Sequence, residues 1–268
     1  MAELARSERR ESRRVARRRR RIRVAGIAAL VIALGGGAFA LLSGGEAAQV
    51  AAKAPPSSTT TTAEPAFTPF VTATTNGADL VAYTEPVEGA APVKTFSALT
   101  EYGFPRTLLV TEQQEGWVQA LLPMRPTGSL GWVRASDITL GSTTLEIKVS
   151  LSAHQLVLLD AGVPVLETPV AIGKEATPTT VGQFFVTDPL DLSSDPNSDY
   201  GVFAIGISGY SDVLTSFRGG DGQLAIHGGA WESQLGTGVS AGCVRVLNDT
   251  ILQIAGLVPL GAPVTITA

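Results

Sequence analysis

The sequence predicts a mainly β protein. Three observations carry that prediction. Apolar and β-branched runs of strand length recur from residue 76 to the C-terminus, and clusters of Gly, Pro, Asp and Ser separate them. Beyond the apolar segment near the N-terminus, one stretch alone has the pattern of a helix.

Residues 1–23 (MAELARSERRESRRVARRRRRIR) are a basic arm, with eleven Arg against three Glu, a surplus of eight positive charges. The whole chain is −4, so the rest carries −12. Residues 24–42 (VAGIAALVIALGGGAFALL) hold nineteen positions without a charge, enough for a helix to span roughly 30 Å of hydrocarbon. A membrane partner is therefore expected, bound through Val24 to Leu42. The basic flank keeps the arm in the cytoplasm and exports everything downstream, which predicts a single-pass cell-membrane protein. A cleaved signal peptide competes less well, because the basic region is long and the apolar run exceeds a signal core. An Arg block before a span marks topology and contact with anionic lipid. With no second basic patch, no nucleic-acid partner is expected.

Residues 43–75 are rich in Ala, Pro, Ser and Thr and poor in aromatic side chains. That composition predicts a flexible stalk, since it buries too little apolar surface to offset its ordering entropy. At that length an unstructured chain reaches roughly 30 Å from end to end. Residues 76–141 change character. The runs LVAY, TLLVT, WVQALL and GWVRAS alternate with turn residues, and MRPTGS at 124–129 is a strong turn signal. This predicts a small all-β module of hairpins. It resembles the SH3-like modules of exported bacterial cell-wall proteins, with Trp117 and Trp132 read as core more readily than as a ligand groove.

From 144 to 268 the strands continue. LEIKVSL and HQLVLLD precede a turn at Ala161-Gly162, VPVLETPVAI resumes, and TPTTVGQFFVTD adds another strand. His154 falls inside the second of these and is read as an ordinary strand residue. Asn248 is placed to cap the single helix, ILQIAGL, with Asp249 against the positive end of its dipole. LVPLGAPVTIT ends the chain as a turn and a last strand.

One Cys and two His in the whole chain exclude an internal disulfide and a Cys/His zinc site, so no metal is expected. No cofactor is expected either. His227 leaves an apolar run into two glycines, and Cys243 follows sixteen residues later in SAGCVRVL. Both sit at strand ends beside Gly-rich turns, where side chains are presented in clefts. A thiol needs a neighbouring imidazole to become a nucleophile at neutral pH. An inert buried Cys and a structural His remain the alternative on spacing alone. The amides of Gly242 and Cys243 are candidate oxyanion donors. Ser240 is a candidate to bond the loop or a substrate, and Arg245 to pair with a substrate carboxylate or to hold the turn.

The segment AIHGGAWESQLGTGVSAGCVRVLN is similar to the signature of the YkuD family of L,D-transpeptidases, and the resemblance extends over residues 144–267. It implies a β-rich catalytic domain in which Cys243 is the nucleophile and His227 the general base and then acid, with the Gly228 carbonyl orienting the ring. The implied partners are peptidoglycan stem peptides. Cys243 would form a thioester with the third residue of a tetrapeptide stem, and a second stem's amine would resolve it as a 3→3 cross-link. Two positions depart from the family pattern. Ala241 stands where the family has His, and Arg218 interrupts a Gly-rich stretch in a lid predicted at 207–220. An L,D-carboxypeptidase using the same pair, and a non-catalytic wall-binding protein, are the competing functions; the sequence leaves the oligomeric state open.

Overall fold

The computed structural model describes residues 67–195 and 198–268. The basic arm, the apolar span and the stalk as far as residue 66 lie outside the described residues. Among those described, no helix is long and apolar enough to cross a membrane.

The first sheet contains β1 (Phe70–Thr75), β2 (Leu80–Tyr83), β3 (Pro92–Phe96), β4 (Thr107–Gln114), β5 (Trp117–Leu121), β6 (Leu130–Arg134) and β7 (Ile138–Thr143), in the order β3-β2-β6-β5-β4-β1-β7. β1 corrects the predicted stalk, which ran to residue 75. FVTATT is a strand between β4 and β7, paired through Thr72 with Leu109 on one side and Gly141 on the other. Its composition is that of the stalk, but its β-branched residues suit a pleated surface once two partners exist. Ala73, Leu80, Leu108, Val118 and Val133 fill the core of this module. Trp117 and Trp132 are buried at its margin, each 8 % exposed. Arg134 lies over the rings of Tyr83 and Trp117 and pairs with Glu88.

The second sheet is mixed. Its members are β8 (Leu145–Ser150), β9 (Gln155–Asp160), β10 (Val163–Pro169), β12 (Gly182–Asp191), β13 (Phe203–Tyr210), β14 (Gln223–His227), β16 (Val244–Arg245) and β17 (Pro263–Thr267), ordered β10-β9-β8-β17-β12-β13-β14-β16. Short β11 (Ile172–Gly173) and β15 (Gly238–Ser240) pair separately. Helix α1 (Asn248–Ala255) turns Ile251 and Ile254, both fully buried, onto a core of Ile147, Leu158, Phe184, Ile205, Ile226 and Val264. Each side chain of that size withdrawn from water contributes about 1.5–3 kcal/mol.

Strand β12 explains why the two sheets are one body. Successive strand residues point to opposite faces. Phe184 enters the core of the second sheet, and Phe185, also 0 % exposed, enters the core of the first.

The predicted role of Asn248 is corrected here. The helix is preceded by Leu247 with no side-chain cap. The Asn248 Oδ1 accepts instead from the Gly229 amide at 2.9 Å and the Val202 amide at 3.3 Å, fastening two loops beside the end of β14. His154 is also corrected. It lies before β9 in a turn, with φ 49°, and its Nδ1 is buried without a hydrogen-bond partner.

Candidate active site

His227 ends β14, and Cys243 immediately precedes β16. These strands run parallel, with Ile226 opposite Val244 and His227 opposite Arg245. Ile226 and Val244 point into the core. Alternation therefore sends Ala225, His227, Cys243 and Arg245 to the other face. There His227, Cys243 and Arg245 line one cleft with Asp199, Tyr200, Phe217, Arg218 and Ala241.

His227 Nδ1 lies 2.7 Å from the Gly228 carbonyl oxygen. A carbonyl only accepts, so Nδ1 carries the proton and the neutral ring keeps its lone pair on Nε2. Gly228 is confined by its surroundings, since a Cβ there would lie 2.3 Å from Asn248 Oδ1. The Tyr200 ring meets the imidazole edge-on at 4.9 Å between centroids.

Burial pushes the His227 imidazole down to about 4, and the positive charge of Arg245 acts the same way; the Gly228 and Tyr200 carbonyls oppose both. Burial pushes the Cys243 thiol up, against the smaller opposing effects of the Ala225 amide and Arg245. At neutral pH the pair is consequently uncharged. Such a pair works by general base catalysis, with the proton leaving the thiol as sulfur attacks. Arg245 is anchored through its backbone, its amide donating to the Ala171 carbonyl at 2.8 Å, while its buried Nε has no partner.

The SAGC loop is braced from within. Ser240 is 1 % exposed. Its Oγ donates to the Cys243 carbonyl at 2.6 Å and accepts from the Gly242 amide at 3.1 Å. Ser240 thus takes the first of its two expected roles, bonding the loop, and the Gly242 amide is engaged within it. The φ of +121° at Gly242 gives the turn that directs its amide there.

The predicted lid is corrected in its bounds: residues 207–210 belong to β13, and the connection to β14, residues 211–222, brings Phe217 and Arg218 to the cleft. Phe217 and Gly220 exchange backbone hydrogen bonds at 2.9–3.0 Å around Arg218 (φ 50°) and Gly219 (φ 82°). Arg218 forms an ion pair with Asp199 on the facing loop, which accounts for an arginine at a position where Gly is conformationally preferred. Beneath this latch the free volume is about 60 Å³. A neighbouring cavity of about 370 Å³ includes Trp231, Gln234 and Asn248 and shares Asp199 and Arg245 with the cleft.

Sequence reasoning missed Asp199, Tyr200 and the loop-fastening role of Asn248. The first two carry no local motif; Asn248 carried one, but for a helix cap.

Residues 145–266 match the YkuD family, described as the L,D-transpeptidase catalytic domain. The chain is 29 % identical over 156 residues to a Bacillus licheniformis protein named as an L,D-transpeptidase, YkuD, covering 56 % of this chain and 86 % of that one. The protein of the same name from Bacillus subtilis is 26 % identical over 153 residues, covering 55 % and 84 % respectively. Among solved structures, an L,D-transpeptidase from Mycobacterium tuberculosis H37Rv aligns over 54 % of this chain and 75 % of its own, at 18 % identity and a TM-score of 0.39.

Proposed function

With an L,D-transpeptidase catalytic domain over residues 145–266 as the premise, we propose that this protein joins peptidoglycan stem peptides by 3→3 cross-links through a thioester on Cys243. The observation that carries the assignment of roles is the parallel register of β14 and β16, which sets Cys243 and His227 on one face of adjacent strands.

In the first half-reaction the Cys243 sulfur attacks the carbonyl carbon of the stem's third residue, and His227 Nε2 takes the thiol proton. The C–N bond to the terminal D-alanine breaks, and the imidazolium returns the proton to the departing amine. In the second, a side-chain amine of another stem attacks the thioester, His227 takes its proton, and the C–S bond breaks to restore the thiol. The imidazolium formed in each half is favoured by the Gly228 and Tyr200 carbonyls. The unpartnered Arg245 Nε supports a role in pairing with a stem carboxylate, since a planar guanidinium matches that group. The tight space under the lid requires 211–222 to swing away before a peptide binds, and the adjoining larger cavity is the natural approach.

The same proposal places the enzyme at the outer face of a cell membrane, held by residues 24–42 with the arm inside. The supports are the charge-free run and its eleven-Arg flank. Residues 70–143 then act as an SH3-like spacer facing the wall.

The test uses the purified full chain with tetrapeptide-bearing muropeptides, read by mass spectrometry. Dimers lighter than two monomers by the mass of one free D-alanine are expected, and Cys243→Ala abolishes them. Tripeptides alone, at high acceptor concentration, would assign the site to hydrolysis and sink the cross-linking proposal.

A further inference from the structure

The turn that joins β5 to β6 in the first sheet does more than reverse the chain. Residues 122–129 touch the root of the lid at several points. Arg125 Nη2 donates to the Ser211 carbonyl at 3.1 Å and to the Leu214 carbonyl at 3.2 Å. Its guanidinium lies 4.7 Å from the Tyr210 ring centroid. The Tyr210 hydroxyl donates to the Pro123 carbonyl at 3.1 Å, and the Tyr210 amide donates to Thr127 Oγ1 at 3.4 Å.

These contacts converge where the lid leaves β13. Ser211 is 2 % exposed, and its Oγ accepts from the Val213 and Leu214 amides. The Ser211 amide donates to the Gly222 carbonyl at 2.9 Å, closing the root. One nitrogen from the first sheet thus holds two carbonyls of the ascending arm, and three to four residues beyond Leu214 the chain reaches Phe217 and Arg218 over Cys243.

We propose that Arg125 is a positioning residue for the reaction at Cys243, through which the N-terminal module sets the resting place of the lid and so governs access to the thiol. The grip is geometric. Arg125 Nη2 serves both carbonyls while the guanidinium face rests on Tyr210, and an ammonium lacks that stacking face. Residues nearer the tip are held by the exposed Arg218–Asp199 pair, which solvent screens. The root contact is therefore the stronger of the two restraints.

The experiment compares the full chain with Arg125→Ala, Arg125→Lys and Tyr210→Phe. Its readouts are the native-state alkylation rate of Cys243 by iodoacetamide, the melting temperature, and kcat and KM for stem-peptide transfer. Since a charge-assisted hydrogen bond is worth about tenfold or more in an opening equilibrium and Arg125 makes two, Arg125→Ala is expected to raise the alkylation rate by at least about tenfold. The melting temperature should hold and KM should fall, because the lid must swing away before a peptide binds and its open form becomes more populated. Arg125→Lys should fall between this variant and the parent. Tyr210→Phe keeps the ring and loses only the Pro123 bond, so it should move alkylation the same way by a smaller factor. It decides the matter if Arg125→Ala does not fold. Alkylation within about twofold of the parent in the folded variants would overturn the proposal, as would acceleration accompanied by an equal loss of global stability. Alkylation reports the lid whatever group the thioester is passed to, so failure of the cross-linking function would be seen separately.

Discussion

Acidification should expose how strongly the fold holds His227 neutral. The unfolded chain takes up this proton near the ordinary histidine value of 6.5, whereas the folded protein resists protonation down to about 4. Between those values the unfolded state binds more protons than the folded one. The contribution is therefore fully present above about pH 6.5 and is lost as the pH falls through about 4. A difference of this size corresponds to about 3 kcal/mol, with a steepest slope of about 1.4 kcal/mol per pH unit. Urea unfolding at a series of pH values from 4 to 7.5 measures it. With a urea dependence of about 2 kcal/mol per molar, the midpoint should move by about 1.5 M from this group alone. Asp191, held below the usual carboxylate range by hydrogen bonds from Ser193, adds an acid-side change of its own. The informative quantity is therefore the gap between the parent and His227→Gln, which lacks the titrating ring. Curves that stay parallel down to pH 4 would refute the claim that burial depresses this imidazole.

Two further outcomes can be checked independently. Arg218→Gly removes the ion pair with Asp199 but also relieves a left-handed backbone at a residue with a Cβ; stability should change by less than about 1 kcal/mol, while iodoacetamide reaches Cys243 faster. Ser240→Ala removes an acceptor from the buried Gly242 amide and a donor from the Cys243 carbonyl; it should cost about 1–3 kcal/mol in urea unfolding and lower the turnover measured by mass spectrometry, because the loop carrying the sulfur loses its internal brace.

The parts of the site that were legible in the sequence are those whose chemistry is scarce. A single Cys, with a His sixteen residues upstream and glycines around both, marked a pair before any strand was paired. The mainly β class was equally readable, because strand periodicity is local. Strand β1 was not, since FVTATT shares its composition with the segment before it and becomes a strand only when β4 and β7 flank it. Asn248 had the local features of a helix cap, yet its oxygen serves Gly229, nineteen residues away in sequence. Asp199, Tyr200 and Arg125 gain their significance only from chain segments brought to them by folding. The bond from the Gly242 amide to Ser240 was hidden for a related reason: the backbone conformation at Gly242, invisible in the sequence, decides which way the amide points.

The burial of Phe185 in the core of the first sheet means that a boundary drawn at residue 144 divides the sequence without dividing the folded molecule. Residues Pro65–Ala268 form one compact unit. A fragment beginning at β8 would leave that phenyl ring facing water and take away the packing around the root of the lid. The N-terminal sheet is thus not cargo carried beside an autonomous enzyme. Any module put in its place would have to offer the same socket for the Phe185 ring.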